Sequence, residues 1–167
     1  MGQPINTRGW ESQPSLSADG NILYYASNRK GTLGGRDIWR SKRNEQGVWS
    51  NPVNLGSTIN TVRNDESPFF HPDGKTLYFM STGHKGMGGY DLFVARKEID
   101  GSWKTPQNLG YPINTKGNEG ALFITLDGIT AYFTKDNLPE DDVQKIVSRK
   151  QPDIFTFEMP KDLRPTP

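Results

Sequence analysis

The tetrapeptide "PINT" at residues 4–7 returns as "TINT" at residues 58–61 and again as "PINT" at residues 112–115. Each copy begins 54 residues after the previous one. A fixed period of about this length is the sequence signature of repeat folds such as solenoids and propellers. The repeat therefore decides the fold class before any single residue is considered.

Three longer segments recur with the same period. One contains an Asp-Gly dipeptide and reads "SADGNILYYAS" at 17–27, "HPDGKTLYFMS" at 71–81 and "TLDGITAYFTK" at 125–135. Another reads "GGRDIW" at 34–39 and "GGYDLF" at 88–93, and returns weakened and delayed as "QPDIF" at 151–155. A third is found only twice, as "WSNPVNLG" at 49–56 and "WKTPQNLG" at 103–110.

Each unit predicts four short strands. The first strand begins at an acid, namely Glu11, Glu66 or Glu119. The Asp-Gly dipeptide, which favours a tight hairpin, leads to an aromatic-rich second strand. A glycine-rich loop leads to the third strand, which begins at Asp37, Asp91 or Asp153, and a fourth begins at Trp49 or Trp103. "INT" is then the connector to the next unit.

A four-stranded antiparallel unit at a fixed period is typical of a β-propeller blade, and blades must stack to bury both faces. We therefore expect an all-β fold, a propeller segment of three four-stranded antiparallel blades. The predicted divisions are a connector at residues 1–10, blades at 11–65, 66–118 and 119–160, and an exit linker at 161–167. Propellers usually have four to eight blades, so the chain is expected to be a segment of a larger propeller or, alternatively, half of a ring closed by two copies.

The third unit departs from the other two. It has no Trp-led fourth strand, and eight extra residues separate its second and third strands. The segment at residues 137–150 has a proline near its start, acids early and bases late. These are helix start and stop signals, so we expect a short helical insert there, with an irregular charged loop as the alternative.

Composition excludes several classes of protein. The net charge of +1 argues against a nucleic-acid binder, and the 11% of aromatic residues argues against disorder. There is no cysteine, so no disulfide or thiolate site can form. No apolar run approaches the length of a membrane span.

The pattern E-x-x-P-x-x-S-x-D-G-x-x-L-Y-F-x-S, followed by G-G-x-D-I-[WF], resembles the WD-like propeller repeat of TolB-type proteins. The tail W-x-x-P-x-N-L-G-x-x-I-N-T resembles the version in outer-membrane OmpA-family proteins of Bacteroidota, including the PorE-like lipoprotein of the type IX secretion system. The resemblance covers residues 4–159. It implies a propeller, with six blades in the TolB type, that lies in the periplasm and is associated with the outer membrane.

The repeated acids are expected to hold turns rather than to form a site. They are Glu11, Glu66, Glu119, Asp37, Asp91 and Asp153. An acid at a strand start can accept N–H bonds from the adjoining loop, whereas a catalytic carboxylate should be singular. We predict no catalytic residue, metal or cofactor, since the two histidines lack companions and no nucleophile elbow is present. A phosphate cradle in the glycine-rich loops is disfavoured because a strand, not a helix, follows.

Residues that differ between blades at the same loop position are better candidates for recognition. We predict a partner-binding surface made of Trp10, Arg29, Lys30, Arg36, Lys85 and Tyr90. Tryptophan, tyrosine and arginine are the usual hot-spot residues, and the inferred strand directions put all six on one face. A scattered solvated surface is the alternative.

The expected function is non-catalytic. It is a protein-interaction module of the bacterial cell envelope that binds an envelope protein, neither spans a membrane nor binds nucleic acid, and can self-associate through its open blades. Two alternatives remain: an accessory propeller that gates a hydrolase, and a glycan-binding module that uses Trp10 and loop aromatics.

Overall fold

The computed structural model describes residues 1–136 and 152–165. The first antiparallel sheet contains β1 (Glu11–Leu16), β2 (Ile22–Ser27), β3 (Asp37–Lys42) and β4 (Val53–Asn54). The second contains β5 (Asp65–Phe70), β6 (Thr76–Ser81), β7 (Asp91–Arg96) and β8 (Gln107–Asn108). The third contains β9 (Glu119–Ile124), β10 (Thr130–Asp136) and β11 (Pro152–Glu158), and a 3-10 helix (Lys161–Leu163) follows it.

The strands of each sheet lie side by side in chain order. The predicted all-β fold of three antiparallel blades is therefore confirmed. The described part of the third sheet has three strands, in keeping with the missing Trp-led segment. The predicted helical insert at 137–150 lies outside the described residues.

The fourth strand of each complete sheet is interrupted. Trp49 and Trp103 form single bridges to Arg43 and Lys97, and regular pairing resumes only at β4 and β8. A proline, Pro52 or Pro106, precedes each short strand. Because proline has no N–H to donate, the ladder cannot run unbroken from the tryptophan.

The Asp-Gly turns lie where the sequence predicts them, but their loops are longer than a two-residue hairpin. In the first blade, Ser17 N–H donates to the Ile22 carbonyl and Gly20 N–H donates to the Ser17 carbonyl. Gly20 has φ of 69°. The Asp19 carboxylate accepts from the Asn21 N–H at 3.0 Å, so the acid fixes the turn with its own side chain.

A β-bulge interrupts the first strand of every blade. Gln13, Ser67 and Ala121 adopt φ of 56°, 48° and 46°, and the pairing register shifts beside each of them. The bulges line a shallow groove where the three first strands approach one another. The Gln13 side chain accepts from the Ser67 N–H at 2.9 Å and so joins two bulges. Because the strain recurs at each 54-residue step, it belongs to the blade geometry.

Two apolar cores lie between the blades. In the first, Tyr24 and Ile38 of one blade pack against a set from the next that consists of Phe70, Leu77, Phe79, Phe93 and Ala95. In the second, Tyr78 and Leu92 pack against Ile124, Ala131 and Phe133. Each blade thus offers one face to the blade before it and the other to the blade after it.

The connector supplies a residue to each core. Ile59 lies in the first and Ile113 in the second, both buried. The neighbouring asparagine pairs with the preceding blade. Asn60 Oδ1 accepts from the Ile38 N–H at 2.7 Å, and its Nδ2 donates to the Ile38 carbonyl at 2.9 Å. Asn114 makes the same pair of bonds with Leu92, both at 2.8 Å.

The threonine of the connector pairs with the following blade. Thr61 donates from both its backbone N–H and its hydroxyl to the Asp65 carboxylate, at 2.5 and 2.9 Å. The Thr115 hydroxyl donates to Glu119 at 2.6 Å. "INT" therefore recurs because its isoleucine fills the core, its asparagine bonds to the preceding blade and its threonine bonds to the following blade.

Trp49 and Trp103 are partly buried. Trp49 packs against the cluster that contains Tyr25 and Trp39. Trp103 packs against the core that contains Phe93 and meets Phe70 edge-to-face at 6.4 Å.

The two end blades differ in how their outer faces are covered. On the first, Tyr25 and Trp39 are buried beneath Ile5 of the connector and the Arg29 side chain. The chain therefore covers the outer face of its first blade itself. On the third blade, Tyr132 is 45% exposed and Ile154 is 78% exposed, whereas their counterparts Tyr78 and Leu92 are fully buried.

Asn60→Ala should lower the free energy of unfolding by about 1–3 kcal/mol, because it leaves the buried Ile38 N–H without a partner. The Ile38 carbonyl loses one of its two donors and keeps the Leu55 N–H at 3.1 Å. Asn6→Ala is the matched control. Asn6 occupies the same connector position but is exposed, and its side chain donates to the Met1 carbonyl rather than to a neighbouring blade, so we expect a change within about 0.5 kcal/mol. Chemical denaturation checks both variants. Equal effects would show that the side-chain hydrogen bonds of Asn60 do not stabilise the junction between the blades.

We propose that two copies of the chain associate through the outer face of the third blade. Tyr132 and Ile154 occupy the positions that Tyr78 and Leu92 have in the second blade, and there these side chains are buried against the next blade. Sedimentation velocity should show concentration-dependent association that Ile154→Asp reduces. A monomer at every concentration, for both proteins, would contradict the proposal.

Candidate binding surface on the upper face

One face of the molecule carries the starts of the first and third strands of every blade, together with the connectors and the glycine-rich loops. We call it the upper face. The sequence-predicted acids and partner-binding residues all belong to this face. The structure divides them into residues that hold the loops and residues that gather around one exposed arginine.

The repeated acid at the start of the first strand is Glu11, Asp65 and Glu119. These residues occupy the same register, pairing with Ser27, Ser81 and Lys135. Each accepts from the threonine four residues earlier. The assignment of Glu66 to this series is therefore wrong, because Asp65 holds the place and Glu66 is one residue further along β5.

Burial raises the pKa of two of these three acids. It raises the pKa of Asp65 above its usual value despite the hydrogen bonds from Ser81 and Thr61. Burial likewise raises the pKa of Glu119. Burial also acts on Glu11, but the hydrogen bonds from Thr7 and Ser27 together outweigh it, so the pKa of Glu11 is lowered. All three acids are tied to local groups, which suits a structural role.

The acids at the start of the third strand hold the glycine-rich loops. Asp37 accepts from the N–H groups of Leu33 and Gly34, and Asp91 accepts from those of Met87 and Gly88. Asp153 lies in the same register, opposite Lys135 on β10.

Gly34 and Gly88 serve close approach rather than a positive-φ turn, whereas Gly31 in the first loop has φ of 99°. A Cβ on Gly34 would lie 2.1 Å from the Arg63 carbonyl oxygen, and one on Gly88 would lie 2.4 Å from the Gly117 carbonyl oxygen. Neither has a positive φ. Each loop thus presses its backbone against the connector that leads to the next blade.

Arg29 does not belong to a free surface, although the sequence suggested it. It is 9% exposed, and its guanidinium donates to the Ile5 carbonyl and to Glu11 while covering the Tyr25 and Trp39 rings. In the second blade His84 takes this place. Its Nε2 lies 2.8 Å from the Ile59 carbonyl oxygen and its ring packs against Phe79 and Phe93. Lys30 and Lys85 are exposed.

Four residues at the junction of the first two blades form what we call the upper-face cluster: Trp10, Arg36, Glu66 and Tyr90. The Arg36 guanidinium lies 4.6 Å from the centroid of the Trp10 ring and 2.9 Å from the Glu66 carboxylate. The Tyr90 hydroxyl donates to the same carboxylate at 2.6 Å. Three of the predicted partner-binding residues are thus brought together by an acid that the sequence assigned to another role.

The cluster is buried at Glu66 and exposed to solvent at Arg36. The Glu66 side chain is 4% exposed and that of Arg36 is 41% exposed. The hydrogen bond to Glu66 raises the pKa of Arg36, so the guanidinium stays charged. Burial, with the bond to Glu66, raises the pKa of Tyr90 to about 12, so Tyr90 remains a donor at neutral pH.

Of the two junctions between the described blades, only the first carries this arrangement. The counterparts of Glu66 are Ser12 and Gly120, neither of which can pair with an arginine. The available sequence signal was the spacing: Glu66 lies 55 residues after Glu11 and 53 before Glu119, whereas the repeat is 54.

Among residues 1–136 and 152–165, no group of three or more His, Asp or Glu side chains is placed to hold a metal ion. Within the same residues, no helix has the length and apolar character that crossing a bilayer requires.

No protein-family model matches this chain. No curated protein matches it in sequence. Among solved structures, the crystal structure of TolB from Acinetobacter baumannii matches with a TM-score of 0.55 at 15% identity, over 88% of this chain and 29% of TolB. An alpha-L-arabinofuranosidase from Lactobacillus brevis matches with a TM-score of 0.58 at 12% identity, over 95% of this chain and 54% of the enzyme.

The chain therefore spans about a third of the first of these structures and about half of the second. At such identities the likeness concerns the fold alone. Together with the three stacked antiparallel sheets, it shows that the chain has a propeller-like fold of the kind seen in TolB.

Proposed function

We propose that this chain is a non-catalytic protein-interaction module and that the upper-face cluster is its contact surface. The observation that carries the proposal is the Arg36 guanidinium held between the Trp10 ring and the buried Glu66 carboxylate while 41% of its side chain faces solvent. An arginine fixed in this way has already lost much of the side-chain freedom that binding would otherwise cost.

The cluster has the composition of a binding hot spot. Trp, Tyr and Arg dominate such spots in protein interfaces. Glu66 occupies only part of the guanidinium, which has five N–H donors in a planar fork. The remaining donors suit a carboxylate or a pair of backbone carbonyls on the partner, and the Trp10 ring offers apolar area beside them. Lys30 and Lys85 would form an outer rim that attracts an acidic partner.

The proposed setting is the bacterial cell envelope. The support is the resemblance of the repeat to TolB-type propellers and of its W-x-x-P-x-N-L-G tail to OmpA-family proteins of Bacteroidota, the PorE-like lipoprotein of type IX secretion among them. In this proposal the module lies in the periplasm as part of a larger, peptidoglycan-associated outer-membrane protein, and its partner is another envelope protein.

The test is capture of partners from a Bacteroidota envelope extract by immobilised protein, compared with Trp10→Ala and Arg36→Ala. Removal of a hot-spot residue costs about 2 kcal/mol or more, roughly 30-fold in affinity, so both variants should lose the partner. Arg43→Ala is the matched control, because Arg43 also lies over a tryptophan ring, Trp49, but at the opposite end of β3.

Denaturation midpoints of all the variants establish that each is folded. Capture that is lost with Trp10→Ala and Arg36→Ala but kept with Arg43→Ala supports the proposal. The same captured proteins with every variant would overturn it. Binding of soluble peptidoglycan fragments that depends on Trp10 would point instead to a glycan-binding module.

A further inference from the structure

A cleft of about 240 Å³ lies between the first two blades, on the side opposite the upper face. We call it the lower cleft. Its walls include parts of β3 and β4 and the loop at residues 101–103. The side chains that line it include those of Tyr24, Arg40, Leu55, Lys97 and Trp103. No part of the function proposed above uses it.

Tyr24 brings an unsatisfied polar group to this cleft. Its side chain is fully buried, and among the described residues its hydroxyl has no hydrogen-bond partner. A buried hydroxyl without a partner is unfavourable and requires an explanation. The counterpart one blade later, Tyr78, is equally buried, but its hydroxyl donates to the Leu163 carbonyl at 2.7 Å.

At the next junction the corresponding positions hold buried apolar residues. Arg40 corresponds to Val94, and Lys97 corresponds to Met159, which follows β11 as Lys97 follows β7. Val94, Met159 and Leu163 are all buried in one cluster there. Where Leu163 fills the second junction, the first has Gly101, which has no side chain. The opening at the first junction is therefore built from specific replacements.

Those replacements make the lower cleft positive. Arg40 and Lys97 both line the cleft. Burial lowers the pKa of Lys97, and the nearby charges of Arg40 and Lys42 lower it further. Within the described residues, neither Arg40 nor Lys97 forms an ion pair. The acid next along the chain, Glu98, is paired with Lys104 at 3.2 Å.

We propose that the lower cleft binds a small organic carboxylate. Its oxygens would accept from the Tyr24 hydroxyl and the Arg40 guanidinium, with Lys97 supplying a second positive charge. Its short apolar body would lie against Leu55 and Trp103. The cleft is smaller than the roughly 300–1,000 Å³ of a typical drug-sized site, which limits the ligand to a small acid or to the terminal carboxylate of a peptide.

The test is titration of the uniformly ¹⁵N-labelled chain with butyrate, its neutral counterpart butyramide, inorganic phosphate and an N-acetylated dipeptide that ends in a free carboxylate. Butyrate should produce saturable shifts of the Trp103 indole and Gly101 amide signals. Butyramide should not, because it lacks the charge. The dipeptide distinguishes a peptide terminus from a free small acid, according to which of the two binds more tightly.

Arg40→Val reproduces the residue of the second junction and should weaken butyrate binding at least about tenfold, the effect of losing a hydrogen bond to a charged group. Tyr24→Phe should weaken it about fivefold, and because it only removes an unpartnered hydroxyl we expect the fold to persist. Arg63→Val, at an exposed arginine of the connector on the upper face, is the control and should leave binding unchanged.

Shifts that are equal for butyrate and butyramide, shifts that do not saturate, or butyrate binding unaffected by Arg40→Val would each overturn the proposal. Phosphate that binds as tightly as butyrate would overturn the role assigned to Leu55 and Trp103. Loss of butyrate binding with Arg40→Val and Tyr24→Phe, but not with Arg63→Val, supports it.

Discussion

The structure depends on the way in which one asparagine side chain completes a neighbouring sheet. Asn60 and Asn114 each donate to and accept from a single backbone position, Ile38 or Leu92, on the third strand of the preceding blade. A carboxamide that bonds in this way replaces a backbone partner. The adjacent isoleucine fills the core, and the adjacent threonine is bound by the acid that opens the next blade, so three consecutive residues fix the spacing of the blades.

Repetition also separates scaffold from site. In each blade an acid at the start of the first strand accepts from a connector threonine, as at Glu11, Asp65 and Glu119. Likewise, Asp37 and Asp91 accept N–H groups of their glycine-rich loops. Against this regular background the exceptions stand out. Glu66 pairs with Arg36 at one junction only, and Tyr24 lacks the partner that Tyr78 has. Both functional proposals rest on such departures from the repeat.

The sequence predicted the blades, the strand order and the face on which the loops gather, because period and turn residues determine those features locally. It did not separate Asp65 from Glu66, since two adjacent acids look alike until the pairing with Ser81 fixes the register. It also placed Arg29 on the surface, because nothing local shows that the connector at Ile5 folds back to bury it. Nothing local shows why a glycine is needed at residue 34 either, since the carbonyl that excludes a side chain at Gly34 belongs to the next connector.

We infer that the connector asparagines bind the blades into one cooperative unit. The most direct measurement is hydrogen exchange of the Ile38 and Leu92 amides, each of which donates to an asparagine side chain rather than to a neighbouring strand. Exchange as slow as that of the amides in β6, the buried second strand of the middle blade, is the predicted result, because these bonds should open only when the whole unit unfolds. Exchange as fast as that of the exposed amides in the glycine-rich loops would contradict this cooperative role and would show that the connector is a passive link.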